Sequence, residues 1–261
     1  MRDALIVSTA RTPLTKSYRG TFNNTTAPTM AGWAIEEAVK RSGVDPEKVD
    51  DVIMGAALQQ GTQHCNVARN SALAAGLPVT VSGMTLDRQC SSGMMAIATA
   101  AKQIISDGMD VAVGGGLDSI SLVQTEKMNL DRWVDKKLIE KHKHIYMPML
   151  KTAEVVADRY NISRESQDEY SLQSQLRTAK AQQEGKFDDE IVSVTTTMGV
   201  MDKITKEISF VEKTTSKDEC NRPNTTIEGL SSLNPVVEGG SITAGNASQL
   251  SDGASACVLM E

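Results

Sequence analysis

The stretch Gly83-Met84-Thr85-Leu86-Asp87-Arg88-Gln89-Cys90-Ser91-Ser92-Gly93-Met94-Met95-Ala96-Ile97 decides how the rest of the chain is read. A β-like run ends near Leu86, a turn of small residues carries Cys90 at its tip, and an apolar segment of helical character starts at Ser91. A cysteine at such a junction faces the positive end of a helix dipole, where the first N–H groups lack intrahelical partners. Both effects raise the nucleophilicity of the sulfur. Ser91, Ser92 and Gly93 are small enough to admit a carbonyl group and to leave backbone N–H groups for an oxyanion. The competing reading is a buried, inert cysteine, the ordinary fate of a free thiol.

On either side of this corner, strands alternate with helices. Ala4–Ser8 reads as a buried strand, followed by the turn Arg11-Thr12-Pro13; residues 29–41 have helical periodicity and stop at Ser42-Gly43. Residues 49–54 and 79–86 read as strands separated by a small, Ala-rich helix over 66–75. After the helix at 91–106 comes a strand over 110–114 that runs into the turn Gly114-Gly115-Gly116. This pattern predicts an α/β fold with a mixed, mostly parallel sheet and packed helices. The 91–106 helix is apolar round most of its circumference, which implies packing on both sides.

From about Ser119 the composition becomes more charged, and residues 164–183 read as a polar surface helix with Ser163 as its N-cap. Small residues return at 241–248, and residues 254–260 read as a final buried strand. The expected organisation is therefore a core over 1–120, an inserted loop domain over 121–240, and a returning segment with the last core strand over 241–261. A net charge of −6 over 261 residues argues against a nucleic-acid or membrane surface. Cys65, Cys90, Cys220 and Cys257 show neither CxxC spacing nor disulfide density, pointing to a reducing, cytoplasmic compartment.

Several separated segments together resemble the thiolase family, CoA-dependent acyltransferases that make or cleave 3-ketoacyl-CoA. They are Arg11-Thr12-Pro13, Arg88-Gln89-Cys90-Ser91-Ser92-Gly93, residues 114–119 (GGGLDS), residues 149–154 (MLKTAE), the 164–183 helix, residues 218–223 (DECNRP), and residues 243–248 (TAGNAS) followed by Asp252-Gly253-Ala254. The resemblance implies the N-terminal half of a thiolase, with Cys90 as the acyl acceptor. It further implies that Arg222 meets the nucleotide end of CoA, Ser248 and Ala244 line the pantetheine channel, and Met149 lines the acyl pocket. CoA thioesters are then substrates, with no permanently bound cofactor and no metal.

Two features depart from the family pattern. Met149-Leu150 stands where Met-Gly is usual, and Pro148 occupies a position that is often histidine in acetoacetyl-CoA-forming members; the second points to a degradative, 3-ketoacyl type. The larger departure is an absence: no Gly-His-Pro occurs, and the only histidines are His64, His142 and His144. The family's activating histidine and second cysteine are both missing. The expectation is a fragment, or a half that is inactive alone and works as a homodimer or tetramer or with a C-terminal thiolase half.

Alternatives are a ketoacyl-synthase-like condensing enzyme and a non-catalytic CoA-binding domain. His64-Cys65 reads as a solvent-facing loop pair whose adjacent side chains point apart. Lys141-His142-Lys143-His144 reads as a solvated basic loop without ligand spacing. Gly114–Gly116 lacks the spacing of a phosphate cradle, and Asp118 and Glu154 read as structural acids.

Overall fold

The computed structural model describes residues 2–261, which form two compact units. One unit runs to Met128 and takes in Asp188–Cys220 and Leu250–Glu261; the other comprises Asn129–Phe187 and Asn221–Gln249. Among the described residues no helix is long and apolar enough to cross a membrane.

The first unit is built on strands β1 (Leu5–Arg11), β2 (Thr15–Lys16), β3 (Asp51–Gly55), β4 (Ser82–Leu86), β5 (Val111–Asp118) and β8 (Ser251–Met260), together with helices α1 (Ala27–Ser42), α2 (Val67–Ala74) and α3 (Ser92–Lys102). The main sheet has the order β1-β8-β5-β3-β4, and β2 pairs with β8. β3 runs parallel to both β4 and β5, whereas β8 lies antiparallel between β1 and β5. The sheet is therefore mixed. Its last strand in sequence is an inner one, so residues 251–260 complete a sheet begun at residue 5.

Alternation along each strand builds two apolar layers, because successive side chains point to opposite faces. Val52, Met54, Val111, Val113, Ala256 and Val258 face α1 and α2 and join the larger core cluster. Ile53, Ala112, Cys257 and Leu259 point to the other face, where Ala96, Ala100 and Ile104 of the α3 segment cover them. That segment ends in a π-helical turn over Gln103–Asp107.

Among the described residues α3 is covered on one side only, so the packing on both sides that its apolar circumference predicts is not completed within this chain. Ser92, Ala96 and Ala100 are buried, while Met94 is 77% exposed and Ile105 also reaches solvent. Gly114–Gly116 also differs from expectation. These glycines lie within β5, not in a turn after it, and all three pair with β8. A short helix, α4 (Ile120–Val123), follows β5, and strands β6 (Val194–Met201) and β7 (Ile208–Thr215) form an antiparallel hairpin.

The second unit holds α5 (Lys136–Lys141), α6 (Met149–Arg159), α7 (Arg164–Gln183) and α8 (Ile227–Ser231). α7 is the polar helix expected from the sequence, and Ser163 Oγ accepts from the Ser166 N–H at its start. Its buried acid, Asp168, pairs with Arg164 one turn earlier at 2.7 Å.

Candidate active site

Cys90 is exposed on the turn that joins β4 to α3. Three side-chain contacts shape this turn. The Asp87 carboxylate accepts from the Gln89 N–H at 2.6 Å, while the buried Ser92 hydroxyl accepts from the Arg88 N–H at 2.8 Å and donates to the Gln89 carbonyl at 2.5 Å. Gln89 has φ +50°, a left-handed conformation that costs a non-glycine residue roughly 1–2 kcal/mol. That conformation persists because both ends of Gln89 are tied down.

The closure changes one expectation. Ser91 and Ser92 donate their N–H groups to the carbonyls of Arg88 and Gln89, at 3.1 and 3.0 Å. These two amides are committed within the turn, so they are not available to an oxyanion. Helical geometry also starts one residue late, at Ser92, with Ser91 as a flanking residue whose side chain makes no cap.

The position of the turn is set by glycine on the neighbouring strands. A Cβ on Gly55, at the end of β3, would overlap the backbone of Ser92 and Gly93. A Cβ on Gly116 of β5 would come within 3.0 Å of the Gly93 Cα. Only hydrogen at these sites lets the first turn of α3 lie directly on the strand backbones.

Asp118, at the end of β5, accepts from Gln63 Nε2 at 2.9 Å, and Gln63 Oε1 accepts from the Ser119 N–H at 2.5 Å. Burial pushes the Asp118 carboxyl up, against hydrogen bonds from Gln63 and the Ala57 and Leu58 amides. These N–H groups tie Asp118 to the 57–63 loop, while the negative charge of Asp87 on the Cys90 turn adds to the upward push. A cleft of about 440 Å³, with Val44, Asp50, Asp110 and Met260 in its lining, opens at the opposite ends of β3 and β5. It contains none of the residues read as functional.

The other four candidates, Met149, Arg222, Ala244 and Ser248, belong to the second unit. Met149 is the first residue of α6 and is 75% exposed. Five residues on, Glu154 accepts from the N–H groups of Ser241 and Ile242 at 3.0 and 2.8 Å. Burial pushes the Glu154 carboxyl up, and these hydrogen bonds outweigh it, leaving it below the usual carboxylate range. Asn246 donates to Asp168 at 3.0 Å and accepts from the Thr243 N–H at 2.8 Å, so α6 and α7 together hold the 241–248 loop. Ala244 and Ser248 are exposed on that loop. Arg222 is also exposed, and its backbone N–H donates to Gln175 of α7 at 2.8 Å.

Asp87, Asn246 and Asp168 carry this positioning with no role predicted from sequence, and Ser92 contributes through its hydroxyl and not through a free backbone N–H. Asp87 had a usable signal, since an acid two residues before a turn amide is the spacing of an Asx turn. The Asp168–Asn246 contact spans 78 positions and left none.

Residues 4–261 match the family profile described as the thiolase N-terminal domain. The chain belongs to the thiolase family. The 3-ketoacyl-CoA thiolase of Bacillus subtilis (strain 168) is 42% identical over all of this chain and 66% of that protein. The human peroxisomal 3-ketoacyl-CoA thiolase is 39% identical over 98% of this chain and 59% of its own length. Among solved structures, the acetyl-CoA acetyltransferase of Bacillus anthracis superposes with a TM-score of 0.84 at 38% identity, covering 100% of this chain and 66% of that one. The chain thus spans less than two thirds of the length of these thiolases.

Proposed function

We propose that this chain supplies the nucleophilic half of a thiolase reaction, with Cys90 as the acyl acceptor. The observation that carries the reading is an exposed cysteine on a strand–helix turn held by Asp87 and Ser92, within a chain of the thiolase family. In the cleavage direction, the Cys90 sulfur attacks the keto carbonyl of a 3-ketoacyl-CoA. The bond between the α and β carbons breaks, acetyl-CoA leaves after its α-carbon takes a proton, and the acyl group remains on Cys90 as a thioester. A second CoA thiol then removes it.

The chain brings the nucleophile but lacks the histidine base and second cysteine that complete this chemistry in the family. Neither a Gly-His-Pro motif nor a second cysteine in a Gly-rich turn occurs in the 261 residues. We infer that these residues alone acylate without turning over, and that turnover needs those groups from a C-terminal thiolase half. CoA binding is assigned to residues 121–240 together with the returning 241–248 segment, with Arg222 on the nucleotide end, Ser248 and Ala244 on the pantetheine arm and Met149 on the acyl group. Planar guanidinium suits phosphate or adenine, and small side chains suit a narrow arm. A homodimer or tetramer is the proposed assembly, and four free cysteines support a reducing, cytoplasmic setting.

Incubation with acetyl-CoA followed by peptide mass spectrometry tests the reading. An acetyl group on the peptide containing Cys90, formed without a carrier protein and lost in Cys90→Ala, is expected. CoA binding with no label at Cys90 would point instead to a non-catalytic CoA-binding domain. Turnover of acetoacetyl-CoA and CoA at ordinary thiolase rates by the 261 residues would overturn the incomplete-site reading.

A further inference from the structure

The loop that leads into α2 holds a second cysteine beside a base. His64 Nδ1 lies 2.6 Å from Cys65 Sγ, and both side chains are exposed. Sequence reading had these neighbours pointing apart. Cys65, at φ +53°, has the left-handed conformation that turns its side chain back beside His64, and Asn66 after it is also left-handed, at φ +58°. Two consecutive non-glycine residues there cost roughly 1–2 kcal/mol each, so the surroundings must hold them.

The anchors are on both sides of the pair. Asn66 donates to the Gly83 carbonyl at 2.7 Å and accepts from Thr85 Oγ1 at 2.9 Å and from the Arg69 N–H at 3.3 Å. Asn70 Nδ2 donates to the Cys65 carbonyl at 3.3 Å. On the preceding side, the Gln63 side chain is buried and bonded to Leu58, Asp118 and Ser119. The pair is therefore presented on a fixed loop. The described residues hold no group of three or more His, Cys, Asp and Glu that could cage a metal ion, which leaves nucleophile and base as its chemistry.

We propose that Cys65 and His64 form a thiol–imidazole pair that undergoes exchange with small disulfides, making Cys65 a modification site. An exposed thiol needs only a line of approach to sulfur, which a small disulfide has. His64 Nδ1 takes the thiol proton, and the Cys65 sulfur attacks one sulfur of the reagent. The reagent's S–S bond breaks, and its departing thiolate takes the proton from the imidazolium. Cys65 ends oxidised in a mixed disulfide and half of the reagent is reduced to a thiol.

The test uses the 261-residue chain in a Cys90→Ser background, which removes the other exposed thiol, with oxidised glutathione as the probe. Adducts are located by peptide mass spectrometry over time. The expected result is glutathione on Cys65 ahead of Cys220 and Cys257, with the rate falling at least tenfold in His64→Gln and the adduct absent in Cys65→Ser. Circular dichroism checks that His64→Gln is folded; the substitution is in an exposed loop and leaves the Gln63 and Asn66 anchors in place. A His64→Gln rate within twofold of its parent, or first modification at another cysteine, overturns the proposal.

Discussion

The Ser92 hydroxyl donates to the Gln89 carbonyl at 2.5 Å while accepting from the Arg88 N–H, closing the turn around Cys90 with one buried side chain. Ser92→Ala removes the side-chain acceptor of the partly buried Arg88 N–H and one of the two donors to the Gln89 carbonyl, an expected loss of about 1 kcal/mol in urea unfolding. Alkylation of Cys90 by iodoacetamide reads the site itself. A Ser92→Ala chain that alkylates at the parent rate would show that the clamp does not position the sulfur.

Gln89 offers the opposite test. Its φ of +50° suits glycine, so Gln89→Gly is expected to raise stability by up to about 1 kcal/mol. Asp87→Ala removes the acceptor that holds the Gln89 amide and is expected to lower stability instead. Thermal melts of the two variants should therefore shift in opposite directions.

Gly55 and Gly116 set how closely α3 approaches the sheet. Gly55→Ala forces a Cβ into the backbone of Ser92 and Gly93, an overpacking cost of about 1–3 kcal/mol or more. Gly116→Ala meets Gly93 at 3.0 Å and is expected to cost less. Equal melting temperatures for the two variants would contradict this packing order.

Asp252 gives stability a pH dependence. Burial pushes its carboxyl above the ordinary range, against hydrogen bonds from Ser121, Ile120 and Ser17. A raised folded-state value means that the folded chain binds the proton more tightly than the unfolded chain does. The contribution to stability is full below the unfolded value and is lost as pH rises through the folded one. Wild type should therefore gain stability relative to Asp252→Asn on acidification from neutrality toward the ordinary carboxylate range. Paired urea titrations at the two ends of that window give the sign.

In the second unit, Asp168 is 1% exposed and holds both Arg164 and Asn246. Asp168→Ala removes the carboxylate partner of the Arg164 guanidinium, which keeps only the Leu230 and Leu233 carbonyls, and frees the 241–248 loop, with an expected loss of about 3 kcal/mol. Limited proteolysis should then cut within 241–248 faster than in the parent; equal cleavage rates would mean that Glu154 alone secures the loop.

Much of the fold was legible because its signals are local. Alternation of strand and helix, the stop at Ser42-Gly43, the N-cap Ser163 and the cysteine at a strand–helix corner all depend on residues a few positions apart. Gly114–Gly116 was misplaced because glycine carries two meanings, turn and close approach, and only the neighbours Ile97, Gly93 and Ser255 select the second. The His64–Cys65 contact was missed because no residue type announces two successive left-handed conformations.

By itself, the sequence determined the α/β class, the thiolase resemblance and Cys90 as the candidate nucleophile, since motif order and hydrophobic period are written along the chain. The tertiary structure alone decided that β8 enters between β1 and β5, that Ser91 and Ser92 spend their amides inside the turn, and that Asp168 reaches Asn246. These are contacts across many residues or choices between backbone conformations of similar energy. Packing and hydrogen-bond closure settle both, and neither leaves a period or spacing in the sequence.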